Sequence, residues 1–210
     1  MSNTSSPNPG PVVGLVDAVE VAIGPHHSCA RRNGGQVRCW GANFDGQLGT
    51  NDNANSTVPR DVVGLGLTKA LSAGTRATCA ISAGGTVRCW GSGALGNGAS
   101  SSTVPVTVTG ISSAAAIAVA EAHACAALSD GRVMCWGANA SGQLGDGTDV
   151  FRDTPVQVTG ITNAFDVMAA ANHSCAVLVD GRVFCWGAND HGQLGNGSFS
   201  PSPTPVPASL

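Results

Sequence analysis

The chain has 210 residues, of which 42% are apolar and only 11% are charged, with 29 glycines and 11 prolines. This composition indicates one globular domain rich in turns, and it argues against a disordered chain and against a membrane span. The net charge is −3 and Lys69 is the only lysine, so no broad cationic surface is available to neutralise phosphates. A nucleic acid is therefore not expected as a partner.

The chain begins with a polar segment, residues 1–10, which we predict to be disordered. It lacks the apolar stretch of a signal peptide. Residues 11–206 are predicted to form one domain of four repeats, and residues 207–210 a tail.

The four repeats are marked by a Cys-Trp-Gly triplet, with tryptophans at Trp40, Trp90, Trp136 and Trp186. Successive tryptophans are 50, 46 and 50 positions apart. The second unit is shorter because it lacks three residues before Leu95 and one more before the next upstream cysteine. A fixed period of this size is typical of repeat architectures.

Each unit also has a cysteine ten positions before the cysteine of its triplet. The pairs are Cys29 and Cys39, Cys79 and Cys89, Cys125 and Cys135, and Cys175 and Cys185. Short apolar runs on either side of a glycine-containing turn separate the two cysteines, which predicts β-hairpins near 27–41, 77–91, 123–137 and 173–187.

A three-residue turn would place paired cysteines directly opposite each other, with Cα atoms about 4.5 Å apart. A two-residue turn would place each cysteine opposite the tryptophan instead. We favour the first register because it puts Ile81, Val87, Val177 and Val183 on the cysteine face. It predicts four disulfides and an oxidising compartment, extracellular or periplasmic rather than cytoplasmic.

Two further segments complete each unit. The apolar runs 114–120 and 165–171 could be short helices, but we interpret them as inner strands whose small residues allow sheets to converge on an axis. Segments such as Pro105-Val106 and Pro155-Val156 predict a fourth strand. Four strands per unit is the size of one β-propeller blade.

The unit resembles the repeat of the regulator of chromosome condensation family, most clearly in His173-Ser174-Cys175-Ala176, Asp180-Gly181-Arg182-Val183, Trp186-Gly187-Ala188-Asn189 and Gly192-Gln193-Leu194-Gly195. The resemblance extends from residue 11 to about 206. Members of that family are usually seven-bladed β-propellers, so it implies an all-β propeller of four repeats of about 50 residues.

Four blades are fewer than the family usually has, and an open arc would expose apolar faces and strand edges. The sequence leaves three arrangements open: a closed four-bladed ring, an arc of a larger ring, and a half-ring that assembles with another copy. Residues 11–15 and 204–207 are interpreted as the same phase of the repeat. The chain would then carry one such element more than four blades require, either to complete a neighbour's blade or as part of a longer array.

His27, His123 and His173 each lie two positions before an upstream cysteine, where the second unit has Ala77. We interpret them as structural, each hydrogen-bonded within its blade, rather than as metal ligands. The loops 51–53 and 146–149 are rich in oxygen ligands but lack the complete calcium-loop pattern, so turn formation is the preferred interpretation. No catalytic set or phosphate-binding loop is recognisable, and no cofactor is predicted.

We therefore expect a non-enzymatic scaffold that binds a protein partner through the loops 42–58, 92–104, 138–154 and 188–203, which differ most among the units. The large side chains predicted to contact the partner are Phe44, Phe151, Arg152 and Phe199. One alternative is a structural or self-associating module. The family resemblance implies others: guanine-nucleotide exchange, as in nuclear members, or β-lactamase inhibition, as in a secreted bacterial member. The cysteine pairs argue against the nuclear role and fit an extracellular bacterial protein.

Overall fold

The computed structural model describes residues 8–93 and 95–209. These residues form sixteen β-strands and contain no helix. The strands are β1 (Ala18–Ile23), β2 (His27–Arg32), β3 (Val37–Gly41), β4 (Ser56–Asp61), β5 (Thr68–Ala73), β6 (Ala77–Ser82), β7 (Val87–Ser92), β8 (Ser101–Thr107), β9 (Ala114–Val119), β10 (His123–Leu128), β11 (Val133–Gly137), β12 (Arg152–Gln157), β13 (Ala164–Ala170), β14 (His173–Leu178), β15 (Val183–Gly187) and β16 (Ser202–Pro207). In this part of the chain, no helix could span a membrane.

The strands form four antiparallel sheets, each made of four successive strands in chain order, so each repeat is one blade. The first blade is β1–β4, the second β5–β8, the third β9–β12 and the fourth β13–β16. The first strands pack against one another, β1 on β5, β5 on β9 and β9 on β13, and therefore line the axis. The all-β propeller prediction is confirmed, including the inner strands β9 and β13.

The four blades form an arc rather than a closed ring. Backbone hydrogen bonds join the first blade to the second, the second to the third and the third to the fourth. No such bond joins the fourth blade to the first within residues 8–93 and 95–209. The closed four-bladed ring is therefore not formed, and two blade faces remain open.

Each hairpin has the predicted three-residue turn. In the first, Arg32 N–H donates to Gln36 O at 2.8 Å, and Gly35 adopts a positive φ of 81°, which glycine accommodates without strain. Cys29 faces Cys39 as predicted. The disulfides Cys29–Cys39, Cys79–Cys89, Cys125–Cys135 and Cys175–Cys185 are all formed, with Cα–Cα distances of 4.0 to 4.1 Å.

The two chain ends differ in part from the prediction. Residues 12–15 form a turn in which Leu15 N–H donates to Val12 O, and they correspond to the turn 62–65 that follows β4. The interpretation of residues 11–15 as a surplus copy of the outer-strand phase is wrong, because the positive φ of Gly14 makes a turn there. At the other end, β16 includes Pro207, which was predicted to belong to the tail. Of the segment 1–10 predicted to be disordered, residues 1–7 lie outside the described residues.

The apolar core is divided among the three junctions between blades. At each junction a tryptophan of the following blade is fully buried: Trp90, Trp136 and Trp186. Trp90, for example, packs in one cluster with Cys29, Cys39 and Val37 of the first blade. Burial of these faces is what positions the blades relative to one another.

Candidate functional site

The two ends of the blades carry different connections. Because strand direction alternates, all β3–β4 type loops and β1–β2 type turns lie at one end, here called the loop end. The hairpin turns, such as residues 33–35, and the linkers between blades, such as residues 62–67, lie at the opposite end, here called the hairpin end. All four variable loops predicted to bind a partner are therefore at the loop end.

A buried asparagine organises the loop in three of the four blades. Asn43 is 0% exposed; its Nδ2 donates to Asp52 O at 2.8 Å and its Oδ1 accepts from Leu48 N–H at 2.9 Å. Asn139 and Asn189 repeat the second bond in their own loops. This role was not predicted from the sequence, although it has a signal there: Trp-Gly-Ala-Asn occurs in these three units and is absent from the shortened second unit.

The oxygen-rich loops are held by protein partners. Arg60 donates to both carboxylate oxygens of Asp52, at 2.7 and 3.0 Å, and this bond holds the pKa of Asp52 well below its usual range. Burial opposes ionisation of Asp146, but hydrogen bonds from Thr148 and others lower its pKa. Among residues 8–93 and 95–209, no three histidine, cysteine or acidic side chains are grouped to hold a metal ion.

Three of the four predicted contact residues are exposed at the loop end. Phe44, Phe151 and Phe199 are 76%, 59% and 73% exposed. Arg152 begins β12 and is partly buried, with its guanidinium 3.3 Å from the Asp146 carboxylate. The four side chains are divided among three of the loops: Phe44 in the first, Phe151 and Arg152 in the third, and Phe199 in the fourth.

Two of the three phenylalanines, Phe44 and Phe151, line clefts between blades. Phe44 lines a cleft of about 760 Å³ between the first and second blades, where Arg76 pairs with Asp45 at 2.6 Å. Phe151 lines a cleft of about 320 Å³ between the second and third blades. Phe199 lies beside Gly192 of the fourth blade. At the loop end, two of the three exposed rings thus border a cleft between blades.

Two of the three recurring histidines, His27 and His123, join neighbouring blades. His27 Nε2 lies 2.8 Å from the hydroxyl of Thr78 in the second blade, and His123 Nε2 lies 2.8 Å from the hydroxyl of Ser174 in the fourth. The prediction of hydrogen bonds within each blade is therefore wrong, because the ring reaches across the junction. Burial lowers the pKa of His27 and of His123 to about 4.

The repeat itself matches a known family. Residues 34–81, 130–177 and 180–210 match the regulator of chromosome condensation (RCC1) repeat. A second description of that repeat matches residues 18–47, 69–97 and 115–143. The chain belongs to the RCC1 repeat family. The resemblance seen in the sequence is confirmed.

Solved structures of RCC1-like proteins superpose on the chain. Human WBSCR16 gives a TM-score of 0.81 at 22% identity, over 92% of this chain and 53% of its own. Yeast RCC1 (Prp20) bound to Kap60 gives 0.81 at 21% identity, over 95% and 50%. Prp20p from Saccharomyces cerevisiae gives 0.81 at 22% identity, over 95% and 52%.

The chain therefore spans about half the length of these structures. At such identities the likeness shows the RCC1-type fold alone. No curated protein sequence matches the chain.

Proposed function

We propose that this RCC1-repeat chain is a non-enzymatic scaffold whose loop end binds a protein partner. The observation that carries the proposal is the exposure of Phe44, Phe151 and Phe199 on internally bonded loops of one end. Large aromatic side chains that enter a partner's pockets are the residues that contribute most to protein interfaces. More than half of the surface of each of the three residues is open to a partner.

The loops are suited to binding because they are already ordered. Asn43 and Asn139 tie the middle of each loop to its start, and Asp52 is tied to Arg60 in the outer strand. A loop that is held in one conformation loses little entropy when a partner docks. Yeast Prp20, which has the same fold, is seen bound to Kap60 and has been studied for binding to Gsp1p and histones, which supports a protein as the class of partner.

The compartment we propose is extracellular or periplasmic. Four disulfides, one in each blade, are supporting evidence, since such bonds persist in oxidising surroundings. A nuclear exchange-factor role does not fit this chemistry. The partner is then a protein of the cell exterior or of the periplasm.

The experiment compares two triple variants. The loop-end variant carries Phe44→Ser, Phe151→Ser and Phe199→Ser. The control carries Val63→Ser, Leu67→Ser and Val179→Ser, which remove three exposed apolar side chains from the hairpin end (47%, 58% and 74% exposed). Partners from the source organism's extracellular fraction are captured on the oxidised protein and identified, and their affinities are then measured with purified components.

We expect a partner whose affinity falls at least about tenfold with the loop-end variant and stays unchanged with the control. A partner that binds both variants equally would place binding elsewhere and overturn the proposal. Turnover of a substrate by the purified chain would overturn its non-enzymatic part.

A further inference from the structure

The internal junctions share a set of polar contacts that involves the buried tryptophan. The indole N–H of Trp90 donates to Gln47 O in the preceding blade at 2.9 Å, and that of Trp186 donates to Gln143 O at 2.9 Å. In both cases the same carbonyl also accepts a hydrogen bond from a hydroxyl of the following blade, that of Thr78 at 3.0 Å or that of Ser174 at 3.0 Å. One glutamine carbonyl thus receives two donors across each of these junctions.

The same hydroxyl lies within hydrogen-bond distance of the histidine of the preceding blade. At each internal junction of this chain, the histidine and the hydroxyl are either both present or both replaced. Thr78 faces His27, and Ser174 faces His123. At the junction of the second and third blades, alanines occupy both positions, Ala77 and Ala124. The histidine and the hydroxyl are therefore present together or absent together.

Two backbone bonds occur at all three junctions. In the first, the carbonyl of a hairpin glycine accepts a hydrogen bond from an amide at the first strand of the next blade. The bonds are Thr68 N–H to Gly35 O, Ala114 N–H to Gly85 O, and Ala164 N–H to Gly131 O. A loop amide donates to the outer strand of the next blade: Asn51 N–H to Thr103 O, Gly98 N–H to Asp153 O, and Gly147 N–H to Pro203 O. These bonds hold successive blades together.

The two open faces carry the separate halves of this set. On the fourth blade the corresponding groups are His173, Gln193 O, Gly181 O and Gly197 N–H; on the first blade they are Ser28, Trp40, Ala18 N–H and Thr57 O. Within residues 8–93 and 95–209, the Trp40 indole and the His173 ring make no hydrogen bond. The histidine and its hydroxyl partner are both retained at the open ends.

The apolar surfaces of the two faces also correspond. Val21 and Ile23 occupy the positions of Leu71 and Ala73, which pack at the first junction, yet they are 57% and 72% exposed. On the fourth blade, Met168 occupies the position of Ala118, which is buried at the third junction, yet it is 59% exposed. Both faces are built as junction surfaces, and no blade formed by the described residues covers them.

The slot for a tryptophan is formed on the fourth blade. A Cβ placed on Gly49 or Gly145 would lie 2.9 or 2.8 Å from the indole nitrogen of the next blade's tryptophan. At Gly195, the corresponding glycine, the nearest atom is Ala208 Cβ at 3.5 Å. The fourth blade therefore has space where its three predecessors hold a ring.

We propose that the fourth-blade face binds the first-blade face of a second copy of this chain, head to tail, and that two copies close an eight-bladed ring. Trp40 of one copy enters the slot beside Gly195 of the other and donates to Gln193 O, while Ser28 meets His173. A second copy is the occupant because one chain holds both matching halves of the junction. This surface is separate from the loop end, so the two proposals stand or fall independently.

The first test is the mass of the oxidised chain by light scattering at several concentrations. We expect twice the chain mass of 20.8 kDa, changing to the single-chain mass on dilution. A single-chain mass at every concentration would overturn the proposal. A ladder of higher masses would overturn closure into a two-chain ring.

Two blocked variants test the head-to-tail arrangement. Ile23→Arg introduces a charge on the first-blade face, and Met168→Arg does so on the fourth-blade face; both side chains are exposed in the single chain, so both variants should fold. Each alone should be monomeric, and their mixture should associate through the one junction that neither blocks. If one of them dimerises alone, the contact joins two like faces and the proposal is wrong.

A milder variant keeps the test valid should either arginine variant misfold. Trp40→Phe removes the indole donor and should weaken the dimer at least about tenfold. The loop-end triple variant is the control and should dimerise like the unmodified chain. Equal dimerisation of Trp40→Phe and the unmodified chain would exclude Trp40 from the contact and overturn the proposed junction.

Discussion

Trp90 and Gln47 form the central link between the first two blades: the indole nitrogen lies 2.9 Å from the backbone oxygen, and the ring is 0% exposed. Trp40, the first tryptophan of the chain, has the same place in its own blade but only partial burial. The pair offers an internal comparison between a tryptophan inside a junction and one on an open face.

We predict that Trp90→Phe lowers the free energy of unfolding by about 2 kcal/mol, from one lost hydrogen bond and an underfilled site. Trp40→Phe should change it by less than about 1 kcal/mol when measured at a protein concentration where the chain is monomeric. Guanidinium unfolding of both variants checks this. Equal destabilisation would contradict the account of the junctions.

The disulfides should contribute to stability through the hairpin loops they close. Each joins cysteines ten positions apart, and replacing Cys79 and Cys89 together by alanine should cost about 3 kcal/mol by the loop-entropy relation. Denaturant unfolding of the oxidised proteins measures this cost. Intact mass after thiol alkylation checks that the disulfides are formed, since eight groups should add only after reduction. Alkylation of eight thiols in the denatured, unreduced chain would contradict it.

The buried histidines should make the fold sensitive to acid. Because the folded-state pKa of His27 and of His123 is about 4, below the ordinary 6.5, the unfolded chain takes up protons first. The stability from the neutral rings is present above pH 6.5 and is lost as the pH falls towards 4, on the order of 3 kcal/mol for each histidine.

The measurement is the unfolding free energy between pH 7 and 4. The control is the variant His27→Ala, His123→Ala, which copies the alanine found naturally at position 77. It should lose much less stability over that interval because it lacks the two buried imidazoles. The carboxylates are the same in both proteins and therefore contribute equally to both pH curves. Parallel pH curves for the two proteins would show that these histidines are not the cause.

The turn 12–15 gives a prediction about assembly. It is held to the first blade by Arg38, which donates to Gly14 O at 3.2 Å, just as Arg88 donates to Gly64 O at 2.7 Å in the next junction. In a ring of two copies, the residues after β16 of the neighbour would compete for this position. Removing residues 1–14, which include the Gly14 carbonyl, should therefore tighten the dimer without altering the fold. Sedimentation would measure the association and circular dichroism the fold, and weaker association would contradict the competition.

Most of the fold could be predicted from the sequence, because the signals for it are local and occur four times. The constant cysteine spacing and the glycine turns determine the hairpin register, and Cys29 faces Cys39 as this register requires. Contacts that cross between blades were less accessible. His27 reaches a hydroxyl 51 positions away, and nothing in the spacing of a single repeat distinguishes that partner from one in its own sheet.

The candidate site was predictable only in part. Variable loops after a repeated tryptophan indicate where a partner would bind, and three of the four large side chains predicted there are exposed. Arg152 shows the limit, since its pairing with Asp146 depends on how the loop folds back on β12. The structural role of Asn43 was hidden for the same reason.

The placement of the cystines has an evolutionary consequence. Each cross-link joins neighbouring strands of a single sheet, so a gene that gains or loses a whole unit gains or loses a complete pair. Propellers of different size can thus arise by duplication or deletion without leaving a cysteine that has lost its partner.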